Sequence, residues 1–198
     1  MHRGKIIMNQ QEGNNAVEQN IMNRRTIKSF KMDSVNPEEI IDLLNVAKWA
    51  PNHRLTEPWR FQLYTGEGKD VFAQAYIDAQ PEVEGEVSEK AKRKAQYYKD
   101  IPIQLVIIMP EDPRQRTWDE DYGAVSAFIQ NFQLAAWERG IGMIWRTNDW
   151  VYNPIFREAI GVKPGEKIVG TMMIGYPKHV PKAQERTDIR ELVEIIDK

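Results

Sequence analysis

Ile103-Gln104-Leu105-Val106-Ile107-Ile108-Met109 stands between Pro102 and Pro110 as a nearly continuous apolar run of strand length. Apolar residues at successive positions leave a strand no solvent face, so the run predicts a strand buried on both sides at the centre of a sheet. Its unbroken part, Leu105 to Met109, falls far short of the roughly twenty residues needed to cross a bilayer, and a soluble protein is expected.

Downstream, Asp121 to Arg139 carries Val125, Phe128, Ile129, Phe132, Ala135 and Ala136 at helical spacing, with Ala124, Ala127, Leu134 and Trp137 on its other faces. A helix so apolar needs a central place or a partner subunit. Gly140 ends it, and Gly142 to Trp145 begins another strand. Beyond it, Asn153-Pro154 starts a short helix to Ile160, and Lys167 to Ile174 reads as a strand. Gly170 inside that strand predicts the close approach of a backbone or ligand.

Upstream, Trp59 to Thr65 alternates apolar and polar residues as a half-buried strand does, and Gly66-Glu67-Gly68 closes it. Asn36, Pro37 and Glu39 form a helix start with a capping box, followed by Ile40, Leu43, Leu44 and Ala47 on one stripe. Ala16 to Asn23 is a short helix. Gly68 to Asp100 is rich in charge and predicts helices with solvated faces, a surface excursion that could cover an active site. Helices and strands alternate irregularly, which gives an α+β fold with a mixed sheet of four to five strands flanked by helices. Residues 1–15 are expected to be a flexible extension, with Met8 an alternative start, and residues 16–198 a single domain.

The 198 residues include 27 Lys and Arg against 29 Asp and Glu, a net charge of −2, so nothing in the overall balance draws the chain to polyanions. Cysteine is missing from the sequence, which excludes disulfides, thiolate nucleophiles and cysteine-ligated metals. A reducing cytoplasm is the expected compartment. Gly66-Glu67-Gly68 and Gly140-Ile141-Gly142 lack the third glycine of a dinucleotide fingerprint, no Walker loop or serine elbow occurs, and His2, His53 and His179 do not have zinc-site spacing.

Against that background Arg24-Arg25-Thr26-Ile27-Lys28-Ser29-Phe30 concentrates three cations and two hydroxyls, the donor set that grips phosphate. The alternative is a solvated basic turn. With no protein nucleophile in view, a bound cofactor that carries the chemistry fits the deficit.

Three segments resemble the nitroreductase family of flavin mononucleotide enzymes, in particular its small bacterial branch: Arg24 to Phe30, Ala50-Pro51-Asn52-His53 leading to Pro58-Trp59-Arg60-Phe61, and Gly142-Met143-Ile144-Trp145-Arg146-Thr147. The resemblance runs from about Ala16 over nearly all of the chain. It implies a mainly antiparallel sheet and a homodimer with FMN at the subunit interface. It also implies electron transfer from NADH or NADPH, by a ping-pong mechanism, to a small-molecule acceptor such as a nitroaromatic or quinone, with no protein catalytic residue and no metal. Carried over by position, Arg24, Arg25, Thr26 and Lys28 hold the phosphate and ribityl chain, and Trp145, Arg146 and Thr147 line the cofactor. Trp49 and His53 come from the partner, Trp49 standing where that branch often has arginine. Arg186 corresponds to a late basic residue at the phosphate. Ala135, Ala136, Trp137, Glu138, Arg139 and Gly140 align with a stretch tied to nicotinamide binding, although core packing explains them equally well. The rival readings are a flavin carrier or sensor without turnover and a nucleotide-free interaction domain.

Overall fold

The computed structural model describes residues 15–197, so the expected N-terminal extension, Asn15 apart, lies outside the described residues. Helix α1 (Ala16–Asn23) comes first and docks through Asn20, whose side-chain amide donates to the Leu134 carbonyl at 3.0 Å. Helix α2 (Pro37–Ala47) starts as its sequence predicts: the Asn36 side chain accepts from the Glu38 amide, and Ile40, Leu43 and Ala47 are buried. The capping box is not completed, because the Glu39 carboxylate faces Arg139 at 3.8 Å instead.

Strand β1 (Arg60–Tyr64) is followed by α3 (Gly68–Asp78), a short hairpin of β2 (Glu82–Val83) and β3 (Glu86–Val87), and α4 (Glu89–Asp100). This stretch is more than the surface excursion its charge suggests. Phe72, Ala73, Ala75 and Tyr76 of α3 and Ala91, Ala95 and Tyr98 of α4 are buried together against the sheet. The charged residues hide the stripe because small alanines and a few aromatics form it, while Lys94 lies over the Tyr97 and Tyr98 rings at its flank.

Strand β4 (Ile103–Pro110) is buried from Ile103 to Met109 and occupies the interior of the sheet, as its run of apolar residues predicts. Helix α5 (Gln115–Glu138) then crosses one face, starting six residues before the apolar periodicity begins because its first turns are polar and solvated. Its burial is also one-sided, with Gly123 and Gln130 exposed. Strand β5 (Gly142–Arg146), α6 (Pro154–Ala159) and β6 (Glu166–Gly175) complete the regular structure, α6 being capped by the Asn153 side chain.

The main sheet has the order β1-β4-β6-β5, and each of its pairs is antiparallel. The expected mixed character reduces to one isolated parallel bridge, Thr26 to Met143. On one face Ile103, Leu105, Ile107 and Met109 pack with α2 and α5; on the other Val106 and Ile108 pack with α3, α4 and α6. Strict alternation along β4 thus feeds two apolar layers, one on each side. Register breaks once, where Ile107 pairs with Gly170 but Ile108 pairs with Ile168, leaving Val169 as the extra residue of a bulge.

That bulge explains Gly170. The Trp145 indole lies over it, where a Cβ would overlap the ring, and its Nε1 donates to the Val169 carbonyl at 3.2 Å. The expected close approach is therefore made by a side chain of the neighbouring strand.

Candidate functional site

The segment after α1 is held as an extra, strand-like margin of the sheet. The Ile27 amide donates to the Met143 carbonyl at 3.1 Å, the Lys31 amide to Tyr176 at 2.9 Å, and the Lys178 amide to Ser29 at 3.1 Å. Ile27 is fully buried and rests on Gly142, where a side chain would strike it. Period-two alternation then leaves Thr26 and Lys28 on the solvent side, flanking the anchor. Tyr97 of α4 adds a further tie by donating its hydroxyl to the Lys28 carbonyl at 3.0 Å.

Beside this margin opens a cleft of about 840 Å³, lined by Arg24, Arg25, Thr26, Lys28 and Ser29 and by His179, Lys182 and Arg186 from the segment after β6. Ile21 and Met22 give it an apolar flank. Arg25 donates to the Met22 and Arg24 carbonyls at 2.6 and 2.8 Å, Arg24 reaches the Gln133 side-chain oxygen at 3.4 Å, and Arg186 reaches the Gln184 and Glu185 carbonyls. Among the described residues none of these cations joins an ion pair. Burial lowers the Arg24 pKa from its ordinary value, and the charges of Arg25 and Arg186 lower it further. Guanidinium groups gathered without a carboxylate repel one another and become favourable neighbours once an anion lies among them. Ser29, the second hydroxyl of the Arg24 to Phe30 stretch, lines the cleft as that reading expects, whereas Lys182 and His179 carry no such assignment from sequence; the basic, proline-punctuated tail is the available signal.

Trp145, Arg146 and Thr147 are not among the residues lining the cleft. Trp145 packs with the α2 and α5 layer, whereas Arg146, one position on, belongs to the other face, where its charge is felt by Lys94, Tyr97 and Tyr98. The Arg146 Nε and the Asn148 side-chain amide are buried and find no partner among the described residues. Thr147 is exposed. Tyr97 joins the two regions, since it touches the Lys28 carbonyl on one side and senses Arg146 on the other.

Trp49 and His53 lie outside the cleft as well. Trp49 is 84% exposed, so it does not pack at the end of α2 within this chain. His53 opens an exposed turn, His53–Leu55, whose Arg54 and Leu55, with Glu57 just after, have positive φ values of 58°, 52° and 46°. Ala135 to Gly140 forms the end of α5: Ala136 is fully buried, Arg139 reaches Glu39, and Gly140, at φ 74°, turns the chain toward β5. Core packing accounts for this stretch within one chain.

A profile described as the nitroreductase family matches residues 21–176. "Putative NAD(P)H nitroreductase YfhC" of Bacillus subtilis is 36% identical over 176 residues, covering 86% of this chain and 89% of that one. A crystal structure of a nitroreductase-like family protein from Bacillus cereus superposes with a TM-score of 0.88 at 41% identity, over 95% of this chain and 100% of the other. The FMN-dependent nitroreductase NfnB from Mycobacterium smegmatis, solved with NADPH, shares the fold with a TM-score of 0.68 at 18% identity, over 92% of this chain and 98% of that one.

Proposed function

The chain belongs to the nitroreductase family, and from that premise we propose an FMN-dependent oxidoreductase that takes electrons from NADH or NADPH. In this reading it works as a cytoplasmic homodimer, passes the electrons to nitroaromatic, quinone or similar acceptors, and binds donor and acceptor in turn. The observation that carries the proposal is the convergence of Arg24, Arg25, Lys28, Lys182 and Arg186 on one cleft with no carboxylate among its lining residues.

The donor set fits a flavin mononucleotide. A guanidinium offers two parallel N–H groups to two phosphate oxygens, Lys28 supplies a point charge, and the Thr26 hydroxyl adds a donor. Unpartnered donors at Arg146 and Asn148 are suited to the carbonyl oxygens of a polar ring system. When bound, FMN would supply the hydride and electron transfer that this protein's own side chains cannot perform. The cationic margin would then hold the phosphate, and the fixed side of β5 would orient the rest of the molecule. Trp49 and His53, exposed and not among the residues lining the cleft, are assigned to the site of the second subunit. Orientation and fixed donors, rather than a protein acid or base, provide the catalysis.

The deciding measurement is the visible spectrum of the purified protein before and after anaerobic addition of NADH and of NADPH. Flavin absorbance that bleaches with either donor, and returns when a nitroaromatic or quinone is added, is the expected result. A protein that stays colourless after reconstitution with excess FMN overturns the proposal. Flavin that remains oxidised with both donors would mark a carrier or sensor instead.

A further inference from the structure

We propose that Asp121, acting through Thr56 and Asn52, is a positioning residue that locks the turn carrying His53 into the shape in which it meets the flavin; the idea rests on the function proposed above. Asp121 belongs to α5 and is 7% exposed, yet among the described residues it takes part in no ion pair. Burying a carboxylate without a cation is unfavourable unless hydrogen bonds hold it. Its oxygen accepts from the Thr56 hydroxyl at 2.9 Å, a contact between residues from separate parts of the chain.

The network has a fixed direction. The Asn52 side-chain oxygen accepts from the Glu57 amide at 2.7 Å, so its Nδ2 is the group that faces Thr56 and donates to that hydroxyl at 3.0 Å. Having accepted from Asn52, the hydroxyl turns its own proton toward Asp121. Each donor thus meets an acceptor, and the chain of bonds ends on a group that can only accept while ionised. The turn so clasped is strained, with Arg54, Leu55 and Glu57 in the left-handed region. Residues other than glycine occupy that region at a cost and stay there only where surrounding contacts over-determine them. No apolar packing does so here, because His53, Arg54, Leu55, Thr56 and Glu57 are all exposed. The single hydrogen bond from Thr56 back to Asp121 of α5, with the Asn52 side chain tying Thr56 to Glu57, is what the structure offers. Strain held on a surface turn beside the exposed side chains of Trp49 and Leu55 suits a preformed element that enters another subunit's site.

Thr56→Val removes the hydroxyl while keeping shape, Thr56→Ser keeps the hydroxyl, and Asp121→Asn keeps an acceptor for it. Because Thr56 is exposed, its variants leave the core intact, and Asp121→Ala serves as the second disruption. FMN dissociation constants by fluorescence quenching, with amide hydrogen exchange of residues 52–58, are the readouts. Thr56→Val and Asp121→Ala are expected to weaken FMN about tenfold and to speed exchange in the turn, the scale of one lost hydrogen bond to a charged group. Thr56→Ser and Asp121→Asn are expected to restore wild-type affinity and protection. Variants that bind FMN as tightly as a flavin-binding wild type overturn this proposal alone. A wild type that takes up no flavin overturns it together with the function on which it rests.

Discussion

Arg24 is the residue on which the electrostatics of the cleft turn, half-buried and flanked by two like charges. Arg24→Ala is expected to raise the FMN dissociation constant by about tenfold to a hundredfold, the cost of a charge-assisted bidentate contact, while slightly easing the self-repulsion of the unliganded protein; titration calorimetry and thermal melts check the two halves. Gly170 gives a second test. Gly170→Ala drives a methyl into the Trp145 indole, so the ring must leave its bond to Val169. A destabilisation of about 1–3 kcal/mol is expected from overpacking, with a shift in tryptophan fluorescence as the specific sign. Residue identity alone identified much of this: the arginine pair, Thr26 and Lys28 were picked out by type and spacing, and an unexplained glycine announced a neighbour. What it could not give was direction. Trp145 and Arg146 are adjacent in sequence and point into opposite layers, which follows only from strand pairing. Asp121 was read merely as the start of an apolar helix, since its partner Thr56 lies far off in sequence.

Strand β4 was legible because burial on both faces leaves a nearly continuous apolar run, and α2 because Asn36 and Pro37 announce it. The α3 to α4 stretch was not, because a stripe of alanines and scattered aromatics carries little signal beneath so much charge. Strand β6 was legible apart from its bulge, which is a relation between two strands. Its first residue supports a test at this scale. Glu166 accepts from Arg60 Nε at 2.7 Å and from the Lys163 amide at 2.7 Å, strapping β1 to β6 across the end of β4. The Arg60 guanidinium is the main reason its pKa is held at about 2, against an ordinary 4.5. Because the folded value lies below the unfolded one, the strap contributes fully above pH 4.5 and its contribution is lost as pH falls toward 2. Glu166→Gln should therefore melt at a lower temperature than wild type at pH 7, and the gap should narrow by pH 3. An unchanged gap in calorimetric scans between those two conditions would remove the strap from the account.

At the scale of the whole molecule, the net charge of −2 conceals a cleft lined by five lysines and arginines. Sequence totals could not show this, since the cations come from the segment after α1 and from the segment after β6. FMN binding should weaken as ionic strength rises, because screening acts on partly exposed charges, and saturating FMN should raise the melting temperature through its preference for the folded state. Ile189, Leu192, Val193, Ile195 and Ile196 are exposed near the end of the described chain, as are Trp49 and Leu55. In the proposed homodimer these side chains are covered, so sedimentation should report a dimer whose dissociation uncovers tryptophan to quenchers. The cleft also has a consequence for biosynthesis. Because Arg24, Arg25 and Lys28 precede the sheet in the chain and Lys182 and Arg186 follow it, a nascent chain cut before Lys182 holds only the first three of these cations. In the proposed flavoprotein the cofactor is then captured only after the sheet has been made, and fragments truncated before Lys182 should emerge pale even where their sheet has formed.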